Sequence, residues 1–497
     1  MNAPTVVVVG AGPTGLATAV GLRLAGVSVR LLDKAPGPAA TSRALGLQPR
    51  GAEVLDRLGA LADLPEQSVR IGQVLTHVDG KPLARLRVGQ PTKLVTRPGL
   101  LMSQSDVESR LRARLAALGV DVEWGCELLD ASQDGERVSL RLAGREIHAD
   151  WLVGCDGAHS RVRKAAGIAF PGVPVVERFL LADVTARLPV PRDTVAVWLR
   201  GDRMLGAFPL PGEDLWRLMA PAPAGAADDP LPVLCDLLAQ EADIPSSVVR
   251  NAHWTSTFKI HRRLASTYRQ GRMLLAGDAA HIHSPFGGQG MNTGLGDAEN
   301  LAWKLALVTT GRAGGSLLDT YEAERRPAAA DVLKSTSAMT GMILGRTWWA
   351  RTLRDHAFVP LLGRPRVQRL LWEKSSQLTL TYRTGPLGGS APYSRGLRPG
   401  DRVPDLTCTR ADGTPTRLYG ELPARWGLLN PGGRTTGEWE AVADRHLGAG
   451  SVAALRVPGA HRGNTALVRP DGHLAWQGTS PSALGKTLTR ILVNGRQ

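Results

Sequence analysis

The hydrophobic and polar positions of the chain follow three patterns. Short β-branched and aliphatic runs at Thr5–Val9, residues 27–32 and Trp151–Gly154 are bounded by glycine or an acidic residue. Such continuous apolar runs are typical of strands that are buried on both faces of a parallel sheet. Apolar residues at helical spacing follow the first run as far as Leu24. This order of strand, helix and strand predicts an α/β fold.

Alternation of apolar and polar residues is the second pattern, over residues 172–271 and part of 71–104. With turn residues such as Pro211 and Gly212 between the runs, it predicts an antiparallel sheet. Four aromatic residues here are candidates for a pocket lining, although core packing is the commoner use of such side chains. They are Trp198, Phe208, Trp216 and Phe258.

Helical spacing is the third pattern, over residues 322–345 and 348–382, before a stretch rich in glycine and proline at 384–400. Short strands and helices then return. The sequence therefore predicts four units. They are an α/β unit of residues 1–70, 105–171 and 272–345, a sheet unit of 71–104 and 172–271, a helical segment with a linker over 346–399, and a C-terminal unit over 400–497.

The composition of the chain argues against several classes of binding partner. The 497 residues suit two or three domains. Lys and Arg exceed Asp and Glu by 60 to 45, but the positive residues are scattered and no nucleic-acid module is present. We therefore expect no nucleic-acid partner, and attribute part of the excess to attraction for dinucleotide phosphates. No apolar stretch reaches ~20 residues, so no membrane partner is expected. Four cysteines without CxxC predict a cytoplasmic protein without a metal site.

A glycine turn follows the first predicted strand. Gly10, Gly12 and Gly15 have the GxGxxG spacing, in which the glycines allow a tight turn, backbone approach to a pyrophosphate and close packing of helix on strand. Asp33 ends the second strand about 20 residues later, where a carboxylate binds an adenosine ribose. Together these features predict a Rossmann-like dinucleotide site.

A second glycine-rich loop follows the apolar run at residues 273–276. Asp278 lies at the carboxyl end of this run, where open α/β sheets bind ligands, and Gly288 and Gly290 precede a helical pattern. The alternative is a turn whose glycines only satisfy tight geometry. A third apolar run ends near Asp156, for which helix capping is the alternative to a ligand contact. His281 and His283 flank the second loop, and we interpret both as structural.

The amino-acid sequences of these loops resemble those of a known protein family. GDAAH and GGQGMN of the second loop, DGAHSRVRKAAGI of the third and SRALGLQPRGAEVLDRLG after the second strand resemble the flavoprotein aromatic hydroxylases of the para-hydroxybenzoate hydroxylase type. The resemblance and the motifs together imply noncovalently bound FAD. The residues expected to contact it are Gly10, Gly12, Pro13, Thr14, Gly15, Asp33, Lys34, Arg43, Gln104, Asp156, Asp278, Pro285, Gly288, Gly290, Met291 and Asn292.

The same resemblance implies a reaction. In such proteins NADPH or NADH reduces the flavin, and dioxygen then gives a C4a-hydroperoxide that hydroxylates an aromatic or polyketide-like natural product. The flavin carries the chemistry, so no catalytic side chain is assigned. No second GxGxxG unit appears, which favours a transient visit by the nicotinamide. Two alternatives remain: Baeyer–Villiger oxygenation of a polycyclic ketone, and an FAD-binding accessory protein without turnover. A homodimer is left open.

The C-terminal unit, with LVRPDGHLAW near its end, resembles the thioredoxin-like domain of polyketide hydroxylases and rifampicin monooxygenase. It contains Cys408 alone and no CxxC, so dithiol chemistry is not expected. The expected architecture is a Rossmann-like FAD-binding domain, an antiparallel-sheet substrate domain and a thioredoxin-like domain.

Overall fold

A computed structural model describes residues 5–39, 44–223, 225, 228–284, 287–345, 347–389, 396–430, 437–458 and 464–493. These residues contain fourteen α-helices. They are α1 (Pro13–Leu24), α2 (Pro49–Leu58), α3 (Leu64–Gln67), α4 (Gln104–Ala117), α5 (Arg161–Ala165), α6 (Pro230–Ala242), α7 (Gly290–Thr309), α8 (Asp319–Leu344), α9 (Trp348–Leu353), α10 (Val359–Leu362), α11 (Pro365–Ser375), α12 (Leu418–Glu421), α13 (Gly437–Leu447) and α14 (Pro481–Val493).

The strands before residue 160 are β1 (Thr5–Val9), β2 (Ser28–Leu32), β3 (Gly46–Leu47), β4 (Val69–Arg70), β5 (Gln73–Val78), β6 (Lys81–Arg87), β7 (Leu100–Leu101), β8 (Val122–Glu123), β9 (Leu128–Gln133), β10 (Val138–Leu142), β11 (Arg145–Ala149) and β12 (Trp151–Gly154). Those after it are β13 (Gly172–Ala186), β14 (Thr194–Arg200), β15 (Arg203–Pro209), β16 (Leu215–Pro221), β17 (Val249–Leu264), β18 (Arg269–Gln270), β19 (Met273–Leu275), β20 (His281–Ile282), β21 (Thr407–Arg410), β22 (Pro415–Arg417), β23 (Trp426–Asn430), β24 (Val452–Arg456), β25 (Thr465–Val468) and β26 (Leu474–Gly478).

A six-stranded sheet in the order β18-β19-β12-β1-β2-β8 forms the first unit. All its pairs are parallel except β18 with β19. Val6, Val7 and Val8 of β1 are fully buried, because helices and neighbouring chain cover both faces. The carboxyl ends of β1, β2, β12 and β19 lie along one edge, so the loops that follow bring the sequence motifs together. The predicted α/β fold is confirmed.

An eight-stranded sheet forms the second unit, in the order β20-β17-β13-β16-β15-β14-β5-β6. It is antiparallel as predicted, apart from the parallel pair β14 with β5. Helix α6 covers one face, over a core that contains Trp198, Trp216 and Leu218. The other face looks towards the first unit, with Leu199 and Met219 packed near the helical segment.

The helical segment closes this second face. Val359 of α10 packs with Val78 and Leu199 of the sheet, and Trp372 of α11 packs with Val95. Arg354 lies in a π-helical turn between α9 and α10 and donates hydrogen bonds to the carbonyl oxygens of Ile343 (2.9 Å) and Gly201 (3.0 Å). The predicted helical character is present as far as Ser375, where α11 ends, whereas the prediction is wrong for residues 376–382, which contain no helix.

The C-terminal unit contains another six-stranded sheet, in the order β22-β21-β24-β23-β25-β26, with α12, α13 and α14. Only β23 with β24 is a parallel pair among its described strands. The thioredoxin-like assignment of this unit and the residue boundaries of all four units stay predictions. Nowhere in the described ranges is a helix both long enough and apolar enough to cross a membrane.

Candidate functional site

A cavity of about 800 Å³ lies between the carboxyl edge of the parallel sheet and the face of the eight-stranded sheet opposite α6. Gly12 and Asp278 line it from the parallel sheet, and Met219 lines it from the antiparallel sheet. Phe358 and Trp372 line it from the helical segment. Since residues far apart in sequence share one cavity, the fold brings together motifs that the sequence only showed separately.

Two of the three glycines in the first turn have no room for a side chain, and the third faces open space. Gly10 has φ +103°, and a Cβ there would lie 2.4 Å from the carbonyl oxygen of Cys155. A Cβ on Gly15 would lie 1.9 Å from the carbonyl oxygen of Gly10. A Cβ on Gly12 would meet no heavy atom within 4 Å. The space in front of Gly12 is therefore free for a ligand to approach the backbone, and Pro13 and Thr14 line the same cavity.

Asp33 organises this turn from the end of β2. Its carboxylate accepts hydrogen bonds from the backbone N–H of Ala11 (2.6 Å) and of Ala35 (2.8 Å). The half-buried side chain thus fixes the glycine turn whether or not it also binds a ribose. Lys34 is exposed beside it. Neither residue lines the main cavity.

The second glycine loop starts with a 3₁₀ turn at Gly277–Ala279. Asp278 is exposed within this turn and faces the cavity. Gly287 (φ +86°) and Gly288 (φ +61°) lie in the left-handed region, which favours glycine, and Gly290 begins α7. Both Gly290 and Met291 line the cavity. The predicted contact Pro285 lies outside the described residues.

Asn292 holds the second loop in place. Its side-chain amide donates to the carbonyl oxygens of Gly46 (2.9 Å) and Gly288 (2.7 Å), and its oxygen accepts from the backbone N–H of Gln48 (2.8 Å). The side chain is fully buried and does not line the cavity. Its observed role is therefore to join the glycine loop to β3.

In the third motif, Asp156 caps the N-terminus of helix α5. The Asp156 carboxylate accepts hydrogen bonds from the Ser160 hydroxyl (2.5 Å) and from the backbone N–H of Arg161 (2.6 Å) and Val162 (3.2 Å). This is the capping alternative considered from the sequence. Its neighbours Cys155 and Gly157 line the cavity, whereas Asp156 does not. A contact between Asp156 and a cofactor stays a prediction.

The remaining predicted contacts come from the segment after β2. Gln104 lines the cavity and donates a hydrogen bond from Nε2 to the Glu108 carboxylate (2.8 Å). Arg43 lies outside the described residues. Gln48 lines the cavity and was missed in the sequence; its Nε2 donates to the carbonyl oxygen of Gly287 (3.0 Å). No sequence pattern marks it, because its partner lies 239 positions away.

The four aromatic candidates lie on opposite faces of the eight-stranded sheet, two on each. Phe208 and Phe258 line the cavity, whereas Trp198 and Trp216 are buried in the core beneath α6. Successive side chains of a strand point to opposite faces, so Arg217 lies on the cavity face next to buried Trp216. The same alternation, applied to the sequence, would have identified Arg217 as a residue that lines the cavity. Its guanidinium group donates two hydrogen bonds to the Asp183 carboxylate, at 2.6 and 2.8 Å.

The two histidines differ in their surroundings. His281 Nε2 lies 2.6 Å from the Asp297 carboxylate, which also accepts from Arg325 Nε at 2.7 Å. His283 lines the cavity, and burial, followed by the nearby His281, lowers its pKa to about 4. Its ring is therefore neutral at pH 7. The structural interpretation is consistent with the place of His281, which lies beside the buried ion pair of Asp297 and Arg325.

The chemistry of the cavity fits FAD. Helices α1 and α7 both begin at the cavity, and helix N-termini attract phosphate and other anions. The open space before Gly12 allows close backbone approach, and the exposed Asp278 carboxylate suits the hydroxyl groups of a ribityl chain. Among the residues that the structure describes, no cluster of His, Cys, Asp or Glu could hold a metal ion.

Comparisons with known proteins agree with this geometry. Residues 3–336 match the family described as FAD binding domain, and residues 397–494 match the family described as aromatic-ring hydroxylase, C-terminal. The chain is 35% identical to 6-methylpretetramide 4-monooxygenase of Streptomyces rimosus, over 96% of this chain and 91% of that protein. It is 34% identical to rifampicin monooxygenase of Streptomyces venezuelae, over 98% and 97%.

A solved structure extends the agreement to three dimensions. CabE, an aromatic hydroxylase from angucycline biosynthesis, superposes with a TM-score of 0.81 at 31% identity, over 99% of each chain. The resemblance noted from the sequence motifs is thereby confirmed, and with it FAD as the cofactor. The chain belongs to the FAD-binding aromatic-ring hydroxylases, a family of flavin-dependent monooxygenases.

Proposed function

We propose that the protein hydroxylates a polycyclic aromatic or polyketide-like compound, with NAD(P)H as the reductant and dioxygen as the oxygen source. The observation that carries the proposal is the single cavity of about 800 Å³ that joins both glycine loops to the apolar face of the sheet. Ligand pockets typically enclose about 300–1,000 Å³, so this one lies towards the upper end. Two relatives are named for tetracycline-type substrates, 6-methylpretetramide and 12-dehydrotetracycline.

The residues that line the cavity indicate what FAD does and what the protein does in the proposed reaction. Bound FAD supplies the oxygen-transfer chemistry. The backbone at Gly12 and the start of α1 bind its pyrophosphate, Asp278 binds its ribityl hydroxyl groups, and the backbone of Gly290 and Met291 supports its ring. These roles match the positions of these residues at the cavity wall.

The antiparallel sheet and the helical segment hold the substrate. Phe208, Phe258 and Met219 offer an apolar surface against which a planar ring system packs, and Trp372 narrows the opposite side. Their second task is to exclude water from the reacting atoms. The neutral ring of His283 can accept a hydrogen bond from a substrate hydroxyl, whereas its lowered pKa of about 4 makes it a poor base.

The test uses the purified protein with NADPH, ¹⁸O₂ and a panel of polycyclic phenols and ketones. We expect one labelled oxygen atom in the product as a new hydroxyl group on an intact ring, identified by mass and NMR. An inserted ring oxygen would establish Baeyer–Villiger oxygenation instead. If no substrate is oxygenated and anaerobic NADPH leaves the yellow colour unbleached, the accessory-protein alternative is correct. NADH in the same assay decides the reductant.

Three further parts of the proposal are tested separately. We propose that FAD is noncovalent, so acid treatment should release all of it into the supernatant. We propose a cytoplasmic protein without nucleic-acid or membrane partners, which cell fractionation tests. A homodimer is proposed for solution, and sedimentation analysis of the FAD-loaded protein measures it.

A further inference from the structure

Two polar side chains of the flavin cavity have an acceptor atom that no other part of the described chain uses. They are His283, just after β20, and Gln48, just before α2, and both line the cavity beside the second glycine loop. Other polar side chains of the lining already have protein partners. Arg217 donates to Asp183, and Gln104 donates to Glu108. The unused atoms of His283 and Gln48 are therefore the ones that a ligand can satisfy.

The ring of His283 is held in one orientation. It stacks on the ring of His281, with centroids 5.9 Å apart and planes 4° apart. Its Nδ1 lies 3.4 Å from the carbonyl oxygen of Ser284, and a carbonyl oxygen can only accept a hydrogen bond. This contact places the proton of the neutral ring on Nδ1 and leaves Nε2 as an acceptor. The His283 side chain is only half-buried, and its Nε2 keeps surface that a ligand can reach, unlike the buried Nδ1 of His281.

Gln48 presents a second acceptor. Its Nε2 donates to the carbonyl oxygen of Gly287 at 3.0 Å, which determines which end of the amide is the oxygen. Its backbone N–H donates to the Asn292 side chain, so the backbone beneath the side chain is held as well. Gln48 is half-buried, and its Oε1 has no hydrogen-bond partner among the residues that the structure describes. Oε1 is therefore available to a donor in the cavity.

Both acceptors lie beside the same short loop. A Cβ on Gly288 would lie 3.6 Å from Gln48 Nε2, and a Cβ on Gly290 would lie 3.4 Å from His283 Cε1. Gly288 and Gly290 are two positions apart, so their Cα atoms are within about 7 Å of each other. The proposed function places the flavin ring at Gly290 and Met291. A substrate edge that meets the two acceptors therefore lies next to this ring.

The sheet side of the cavity has a different character. Leu199, Met204, Phe208 and Met219 line it with apolar surface. A ligand that satisfies both sides has an apolar ring body and hydrogen-bond donors at one edge. A site that accepts a hydrogen bond from a substrate hydroxyl group rejects an analogue without it, because the acceptor is then left unpaired in a desolvated cavity.

We propose that His283 Nε2 and Gln48 Oε1 form a pair of hydrogen-bond acceptors that selects substrates with phenolic hydroxyl groups and holds the hydroxylated edge beside the flavin. This inference rests on the proposed function and specifies its substrate class as a polycyclic phenol with two donors. A ketone without a hydroxyl group offers no donor to either atom, so the pair favours hydroxylation over Baeyer–Villiger oxygenation. It also gives His283 a role beyond the structural one expected from the sequence.

Calorimetric titration of the full-length, FAD-loaded protein without NADPH tests the pair. The probes are naphthoresorcinol, with both hydroxyl groups on one ring, and 2,7-dihydroxynaphthalene, with one on each ring. Each is compared with the dimethylnaphthalene of the same substitution pattern, in which methyl groups of similar size replace the hydroxyl groups. We expect the better diol to bind at least about threefold more tightly than its dimethyl analogue. If neither diol binds more tightly than its analogue, the proposal is overturned.

Substitutions locate the two acceptors. His283→Phe and Gln48→Leu each remove one acceptor and should reduce the advantage of the diol about two- to tenfold, which is the contribution of one hydrogen bond. Gln48→Glu keeps an oxygen acceptor but loses the donor to Gly287, so the diol should keep its advantage. Thr76→Val is the control, because it removes a hydroxyl group from the sheet side of the same cavity. An unchanged advantage in either acceptor variant, a loss in Gln48→Glu, or an equal loss in Thr76→Val contradicts the proposal.

FAD titration and thermal melts separate substrate recognition from a structural role. His283→Phe should bind FAD as the wild type does, because Nε2 has no partner within the described chain. If this variant fails to fold, His283→Asn and His283→Leu, which are similar in size with and without an acceptor, make the same comparison. FAD affinity that falls together with the diol advantage would mean that these atoms bind the flavin, and the proposal would be wrong. Absence of turnover with ¹⁸O₂ contradicts the hydroxylation but leaves the calorimetric result standing, so the two failures are distinguishable.

Discussion

At the residue scale, the three glycines of the first turn have different roles, and substitutions can distinguish these roles. Gly12→Ala adds a methyl group to open space, so the fold should persist. The methyl group would occupy space that the cofactor needs, and FAD binding should weaken. Gly15→Ala would place a Cβ 1.9 Å from a carbonyl oxygen, so the protein should fail to fold.

Fluorescence titration of the apoprotein with FAD, together with thermal melts without FAD, measures both expectations. The apo Gly12→Ala protein should melt close to the wild type, because the added methyl group meets no other atom and substitutions that disturb no packing usually change the free energy of unfolding by no more than about 0.5 kcal/mol. If Gly12→Ala binds FAD as the wild type does, the pyrophosphate does not lie in front of Gly12.

Asp278 supports a second prediction. Its carboxylate is exposed at the cavity wall, so Asp278→Ala should remove hydrogen bonds to the cofactor without leaving a hole in the core. A hydrogen bond to a charged group contributes about 1.5–3 kcal/mol, which corresponds to roughly tenfold weaker binding or more. FAD retained through gel filtration, and its dissociation constant, are the measurements. Asp331→Ala, on the exposed face of α8, is the control and should retain FAD. Unchanged affinity in Asp278→Ala would exclude the ribityl role.

At the element scale, the sequence predicted the strands and helices well because their apolar periods are regular. The first strand and the end of α1 were predicted at the residues where they occur. The side-chain roles were harder, because they depend on partners far along the chain. Asn292 hydrogen-bonds to Gly46, 246 positions away, and no local pattern indicates such a pair. The parallel pairing of β14 with β5 is likewise a long-range contact.

The two faces of the eight-stranded sheet give a third prediction. Phe208 lines the cavity, so Phe208→Ala should raise KM for the substrate by about tenfold, since burial of a large apolar side chain contributes about 1.5–3 kcal/mol. Trp216 is 1% exposed in the core on the opposite face, so Trp216→Ala should cost about 3–5 kcal/mol of unfolding free energy. Steady-state kinetics and thermal melts measure the two effects. A change of KM in a folded Trp216 variant, with none for Phe208, would reverse the assigned faces.

His473, in the turn between β25 and β26, gives a pH prediction. Burial is the largest effect on its pKa, and Arg50 and Arg469 act in the same direction, so the pKa falls from 6.5 to about 4 despite the nearby Asp471. The unfolded chain therefore binds more protons between these values, and stability rises with pH across this window. Between pH 6.5 and 4 the protein should lose up to about 3 kcal/mol of unfolding free energy from this residue. Denaturant unfolding at several pH values measures the slope. His473→Asn should reduce the slope, and an identical slope in this variant would refute the assignment.

At the scale of the whole molecule, buried ion pairs join the C-terminal unit to the FAD-binding domain. Arg469 pairs with Glu324 of α8 at 2.7 and 2.9 Å, and Lys304 of α7 lies 2.8 Å from the same carboxylate. Arg402 pairs with Glu53 of α2. Loss of one partner from a buried pair costs about 3–5 kcal/mol, because the other charge stays buried. The sequence showed the charged residues but not these pairs, since Arg469 and Glu324 are 145 positions apart.

The last prediction separates assembly from electron flow in this unit. Cys408 is fully buried, and burial raises the pKa of its thiol to about 11, so the reactive thiolate is absent at neutral pH. Cys408→Ser should therefore leave NADPH oxidation and oxygen transfer near normal. Deletion of residues 400–497 should lower solubility and stability, because it exposes Trp303 and Leu307 of α7 and leaves Glu324 without Arg469.

Turnover assays, FAD content and the soluble fraction on expression distinguish these outcomes. Arg469→Met is the matched single substitution. It should destabilise the folded protein, because Glu324 keeps only Lys304 and the buried Asp471 carboxylate loses its arginine partner, while the apolar contacts of the C-terminal unit remain. A large effect of the deletion with little effect of Arg469→Met would mean that apolar burial holds the unit in place. If Cys408→Ser abolished turnover while FAD stayed bound, the C-terminal unit would hold a thiol function and would not act in assembly alone.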